Sequence, residues 1–178
     1  TWTTWYKNGN KKFLASYSNG KLNGKYIRWY EGGIIKELDG EYLNNKKHKK
    51  WIYWSTSGQK TEEINYDNGV HHGSHIKWFG EKSDQHKKFH INYKDSKKDG
   101  DWRHWYSSGV DSLKATYLNG EKDGHWIWWR KNGLKDKEGF YKKEKKHGLW
   151  TIWNDSTGNA YHKLLSLIHI SEPTRQEA

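Results

Sequence analysis

The side chains in this chain that could carry chemistry are histidines and clusters of rings with cations. His71, His72 and His75 fall within five residues, a density that suggests a metal site. Against that, His48, His72 and His147 each stand one place before a shared slot held by Lys49, Gly73 and Gly148. Asn23, Asp99 and Asp123 fill the same place in other units. A place shared by His, Asn and Asp before glycine reads as turn chemistry, so no metal is expected. Rings and basic groups interleave at Tyr26, Arg28 and Tyr30, at Trp51 and Tyr53, at Trp102, His104 and Tyr106, and at Trp126, Trp128 and Arg130. Such a mixture can hold phosphate or sugar oxygens while rings stack on bases or sugars. It also suits cross-strand ring pairs edged by long cations, which is the preferred reading. These residues are the candidate binding face.

Reaction chemistry has no comparable foothold. The sequence has no phosphate-cradling glycine loop ending in Lys-Ser/Thr, no nucleophile elbow and no zinc spacing. The carboxylates Asp99, Glu121 and Asp123 read as turn residues. No catalytic residue and no cofactor is expected, and the chain reads as non-enzymatic.

The elements that position these residues follow from a repeat. Trp5, Trp29, Trp54, Trp78, Trp105, Trp129 and Trp153 are separated by 24, 25, 24, 27, 24 and 24 residues. A fixed period of this size marks units that bury their apolar faces against neighbours. Gly24, Gly73, Gly100, Gly124 and Gly148 each lie five residues before one of those tryptophans, with Lys49 in the same slot before Trp54. Tyr17, Tyr42, Tyr66, Tyr93, Tyr117 and Tyr141 each precede that slot by seven. An insertion around Lys82 to Lys88 accounts for the longest unit.

Each unit reads as two strands and two turns. The first turn is Asn8-Gly9, Gly32-Gly33, Ser57-Gly58, Ser108-Gly109 or Asn132-Gly133, and the second holds Gly20, Gly69 or Gly120. Glycine there supplies the positive φ of tight hairpins. Alternation predicts one packed side with Ile27/Trp29, Ile52/Trp54, Ile76/Trp78, Ile127/Trp129 and Thr151/Trp153. Phe13/Ala15/Tyr17, Phe89/Ile91/Tyr93 and Leu113/Ala115/Tyr117 are assigned to that same side, and the ring-and-cation positions to the opposite one. The fold class expected is all-β: an elongated antiparallel meander, a solenoid of hairpins. About 13 strands at ~4.8 Å make a sheet roughly 60 Å long.

Composition agrees with a folded array. Thirteen Trp, twelve Tyr and four Phe compensate for a hydrophobic fraction of only 32%. The net charge of +11 points to acidic partners or to a solvated lysine surface. Cysteine is absent, which removes disulfides and thiolate metal sites without fixing a compartment. No apolar run reaches the roughly 18 residues of a membrane span. The chain begins at Thr1 and lacks methionine, and is read as an internal fragment that leaves both cytoplasm and secretion open. Residues 1–160 read as about seven repeats, the first and last incomplete, and 161–178 as a tail. From Leu165 the sequence LSLIHISEPTRQEA resembles an in-frame translation of a transposase-type sequencing adapter. The repeat also fails after Gly158, where the next Tyr is due near position 166.

The segment Tyr117-Leu-Asn-Gly120-Glu-Lys-Asp-Gly124-His-Trp126-Ile-Trp-Trp129 resembles the bacterial MORN-variant repeat, as do the turns ending His72-Gly73 and His147-Gly148. The resemblance spans Trp2 to about Gly158. It implies a non-enzymatic hairpin array. It also implies a protein partner in an antitoxin-like role, with a membrane or surface scaffold as the alternative. Anionic lipid, cell-wall carbohydrate and nucleic acid are the other partners considered. The sequence departs from the pattern at Asn45 and Lys49, which replace glycines, and at Gly80 after Phe79 with no glycine at the Lys82 turn slot. These departures predict locally weakened hairpins.

Overall fold

The computed structural model describes residues 1–80 and 86–153, and the backbone of one further strand at 160–166. The expected Lys82 turn slot, Gly158 and residues 167–178 of the tail lie outside the described residues. The described strands are β1 (Trp2–Trp5), β2 (Lys11–Ser18), β3 (Lys21–Trp29), β4 (Lys36–Leu43), β5 (Lys46–Trp54), β6 (Lys60–Asp67), β7 (Val70–Trp78), β8 (Lys87–Lys94), β9 (Lys97–Trp105), β10 (Asp111–Leu118), β11 (Glu121–Lys122), β12 (Gly124–Trp129), β13 (Lys135–Lys142), β14 (Lys145–Trp153) and β15 (Ala160–Ser166). All join one antiparallel sheet in chain order, with β11 and β12 as two pieces of one strand. The meander is open and all-β. Strand β15 pairs through Leu165 and Ser166 with Leu149 and Gly148.

Two turn types alternate along the chain. At one edge, Gly9, Gly58 and Gly109 donate to the carbonyls of Tyr6, Ser55 and Tyr106. Tyr6, Ser55 and Tyr106 in turn donate to Asn10, Gln59 and Val110, closing hairpins with a left-handed glycine. At the other edge are two-residue turns with both φ values positive: Asn19-Gly20, Asn44-Asn45, Asn68-Gly69, Asp95-Ser96, Asn119-Gly120 and Lys143-Glu144. The second turn therefore tolerates residues other than glycine, and the hairpin is unchanged where Asn45 stands.

The glycine slot lies within a strand, at a bulge, and not in a turn. Register shifts fall between Ala15 and Tyr17, Asp39 and Glu41, and Ile64 and Tyr66, opposite Gly24, Lys49 and Gly73. Gly24 and Gly73 have φ of 100° and 90°, and Lys49 holds the same bulge at 59°. A left-handed non-glycine residue costs about 1–2 kcal/mol. Lys49 also pairs with Glu41 at 2.8 Å, but its side chain is mostly exposed, so the pair recovers little. Lys49→Gly should therefore raise stability by about 1 kcal/mol. A denaturation midpoint that stays put or falls would count against strain at this bulge.

Candidate binding face

Register decides which side of the sheet is sealed. Ala15 lies opposite Tyr26, Trp51 opposite Ile64, Ile91 opposite Trp102, and Trp126 opposite Gly139. Directly opposed residues share a face. The predicted pairing of faces is thus corrected: Phe13, Ala15, Ile91 and Ala115 share a side with Tyr26, Trp51, Trp102 and Trp126, and not with the Ile/Trp pairs. The buried side chains are on this ring-rich side, including Ala15, Leu38, Trp51, Ile64, Ile91, Leu113, Ala115, Tyr117, Trp126 and Trp150. Alternation defines two faces for each strand, but only the bulges and the resulting register say which faces coincide.

The packed side makes its own cover. Trp51 lies flat over Gly40 and Trp150 over Gly139, where an added Cβ would come within 2.3 Å of each ring. The indole N–H groups of Trp51, Trp126 and Trp150 donate to the carbonyls of Glu41, Thr116 and Phe140 at 3.1, 3.1 and 3.2 Å. Trp102 stands in the same repeat place, but Ile91 replaces the small residue before it, and its buried indole N–H has no partner. Over the rings sit cations: Lys47 on Trp51 at 4.4 Å, Lys98 on Trp102 at 4.5 Å, Lys122 on Trp126 at 5.4 Å and Lys146 on Trp150 at 4.5 Å. His71 takes the slot once, edge-on to Tyr66 and Tyr93 at 4.9 and 5.2 Å. The sequence reading missed this cation slot and the small slot. Both leave a signal, since the cation is four residues before the ring and the small residue eleven before it.

Of the candidate face residues, Trp51 and Trp126 are buried and the other nine are half-buried, several of them tied to neighbouring repeats. Trp51 and Trp126 are 1% and 3% exposed, so neither ring offers a surface to a ligand. Tyr26 is edge-on to Tyr42, Tyr53 accepts from Lys47 at 2.9 Å, and Trp128 packs at a tilt against Trp126, with ring centres 5.4 Å apart. Arg28 pairs with Glu37, which raises the guanidinium pKa. The His104 Nδ1 lies 2.8 Å from the Ser112 hydroxyl, and burial lowers its pKa. Tyr30 and Tyr106 donate their hydroxyls to the carbonyls of Trp54 and Trp129, one repeat further on. Arg130 does the same to Trp153 and pairs with Asp136.

Ties of this kind run along both edges. Asn45, Gly69, Ser96, Gly120 and Glu144 donate their backbone N–H groups to residues 22, 47, 71, 98 and 122 of the preceding unit. The histidine slot belongs to this set. His48 contacts Asp67 at 3.4 Å and His72 contacts Asp95 at 3.2 Å, while Asp99 and Asp123 accept from the backbone of Asn119 and Lys143. His75 contacts Glu62 at 2.8 Å, which with Lys77 holds the Glu62 carboxyl below its ordinary pKa. Among the described residues no three His, Cys, Asp or Glu converge as a metal cluster.

The opposite side is the open one. One row crosses it as Leu14, Ile27, Asp39, Ile52, Glu63, Ile76, His90, Arg103, Lys114, Ile127, Glu138 and Thr151. Beside it, tryptophans alternate with lysines: Trp29 opposite Lys36, Trp54 opposite Lys60, Trp78 opposite Lys87 and Trp129 opposite Lys135. Lys11, Lys36 and Lys135 lie 6.0, 5.9 and 5.1 Å over Trp29, Trp54 and Trp153. None of these isoleucines and tryptophans is fully buried. The interspersed carboxylates are mostly neutralised: Asp39 by Lys36 and Lys25, Glu63 by Lys60 and Lys50, Glu138 by Lys135. No helix of the described residues is long and apolar enough to cross a membrane. No family model and no curated protein matches the chain.

Proposed function

We propose that the protein is a non-enzymatic repeat scaffold that binds a protein partner along the open side of its sheet. The observation that carries this reading is the double row of half-buried Ile27, Ile52, Ile76 and Ile127 with Trp29, Trp54, Trp78, Trp105 and Trp129. Among the described residues no second layer of the fold covers these rows. Regular apolar anchors set among neutralised charges have the composition of a protein interface. The non-enzymatic part is supported by the use of the sheet-edge histidines and carboxylates as ties between repeats. The resemblance to MORN-variant repeats supports the scaffold role and, in its finer form, an antitoxin-like one in which the partner is a protein to be neutralised.

A library of displayed protein fragments panned on the intact chain tests this. Fragments should be recovered whose binding is lost with Ile52→Ser and Trp54→Ser on the open side, yet unaffected by Tyr53→Phe on the packed side. Recovery of no fragment, or of fragments indifferent to Ile52 and Trp54, overturns the reading.

A further inference from the structure

The open-side row keeps one rule along most of its length. Isoleucine or threonine on one strand faces an acidic residue on the next: Ile27 with Asp39, Ile52 with Glu63, and Thr151 with Glu138. The rule fails on β8, β9 and β10. There His90 lies opposite Arg103, and Arg103 opposite Lys114. Arg103 and Lys114 thus stand side by side on adjacent strands, where like charges destabilise a sheet, with His90 on the next strand. Arg103 and Lys114 are both exposed. Neither has a carboxylate within ion-pair reach among the described residues. Burial first, then Lys87 and Arg103, lowers the His90 pKa, and its Nε2 lies 2.9 Å from the Ser74 hydroxyl.

The edges of this patch limit what fits it. Ile76 precedes His90 in the row and Ile127 follows Lys114. Beyond them come Glu63 and Glu138. Asp101 and Asp111 flank it along the strands, opposite Thr116 and Trp105. Glu63 and Glu138, beyond its ends, are already paired with lysines, so among the described residues of this row unpaired positive charge is confined to the patch, which suits a short acidic element better than a long polyanion. From Ile76 to Ile127 the row crosses four strand spacings, roughly 19 Å, which an extended segment of about six residues spans.

We infer that the row Ile76, His90, Arg103, Lys114 and Ile127 is the specificity element of the open side, and that it takes a short extended peptide with acidic residues in its middle and apolar residues at its ends. The inference rests on the protein-binding reading above and names the chemistry of the partner. The repulsive row persists against the rule of the other repeats because recognition, not folding, uses it.

The probe is a fluorescent hexapeptide with a leucine at each end and aspartates between, titrated onto the intact chain. A second probe replaces the aspartates by asparagines. The acidic peptide should bind, the amide peptide at least about tenfold more weakly, and Arg103→Ile and Lys114→Ile should each weaken the acidic one by a similar factor. Arg103→Ile should at the same time raise the denaturation midpoint, because it restores the isoleucine of the other repeats. A lowered midpoint makes Arg103 structural and overturns the inference. So does equal binding of both peptides. Tighter binding of single-stranded DNA or of anionic phospholipid vesicles than of the acidic peptide, lost with Arg103→Ile, also overturns it in favour of a phosphate ligand. Should panned fragments depend on Ile52 and Trp54 but lack acidic residues and ignore Arg103→Ile, only this inference fails and the scaffold reading stands.

Discussion

Replacing Gly40 by valine should unfold the middle of the array or cost about 3 kcal/mol of stability, the upper end for an overpacked site. The backbone of Gly40 is ordinary strand, so the penalty comes from the ring above it. A Cβ there meets Trp51 at 2.3 Å, and Trp51 has nowhere to go. It is 1% exposed, donates to the Glu41 carbonyl, and touches Tyr26, Tyr42 and Tyr66 with ring centres 6.0, 5.0 and 6.5 Å away. Lifting the ring also removes Lys47 from its face. Gly32→Ala is the matched control, since a Cβ at Gly32 meets nothing within 4 Å. Chemical denaturation reads both. Combining Gly40→Val with Trp51→Ala should cost clearly less than the sum of the two single changes, because the clash leaves with the ring. Additive costs would show that the ring is not the obstacle.

Trp126→Ala should be at least as damaging, at about 3–5 kcal/mol. Trp126 is the hub of the ring cluster on β9 to β14, within 6.0 Å of Trp102, 5.3 Å of Tyr117, 5.4 Å of Trp128 and 5.3 Å of Tyr141. It is 3% exposed, so its removal leaves a void between Ala115 and Gly139 that neither small residue can fill. Because each unit contacts only its neighbours, the damage should stay local. Amide hydrogen exchange should quicken across β9 to β14 and remain slow across β2 to β5. Uniform loss of protection along the sheet would mean that the array unfolds as one body.

Much of this was legible beforehand, and for definite reasons. Asn19-Gly20 and Asn119-Gly120 announce two-residue turns because few residues tolerate left-handed backbone. The constant steps around Trp29 and Trp129 announce hairpins because a repeated bond pattern needs repeated spacing. The candidate face was less legible. Tyr30, Tyr106 and Arg130 look like an exposed ring-and-cation set, yet each reaches one repeat ahead to a backbone carbonyl. Such ties join residues more than twenty positions apart, and no local pattern marks them.

The amino-acid sequence by itself therefore determined the unit, its two turns and its antiparallel meander, because these depend on local backbone preference and on period. Only the tertiary structure decided which side is sealed. That choice turns on the two-residue alternation of side chains combined with bulges at Gly24, Lys49 and Gly73, which set whether Ala15 meets Tyr26 or Ile27. A one-residue change in register would exchange the two sides. Trp51 and Trp126, two of the candidate-face rings, are thereby placed in the core. The Ile/Trp side, with its row of His90, Arg103 and Lys114, is left facing solvent.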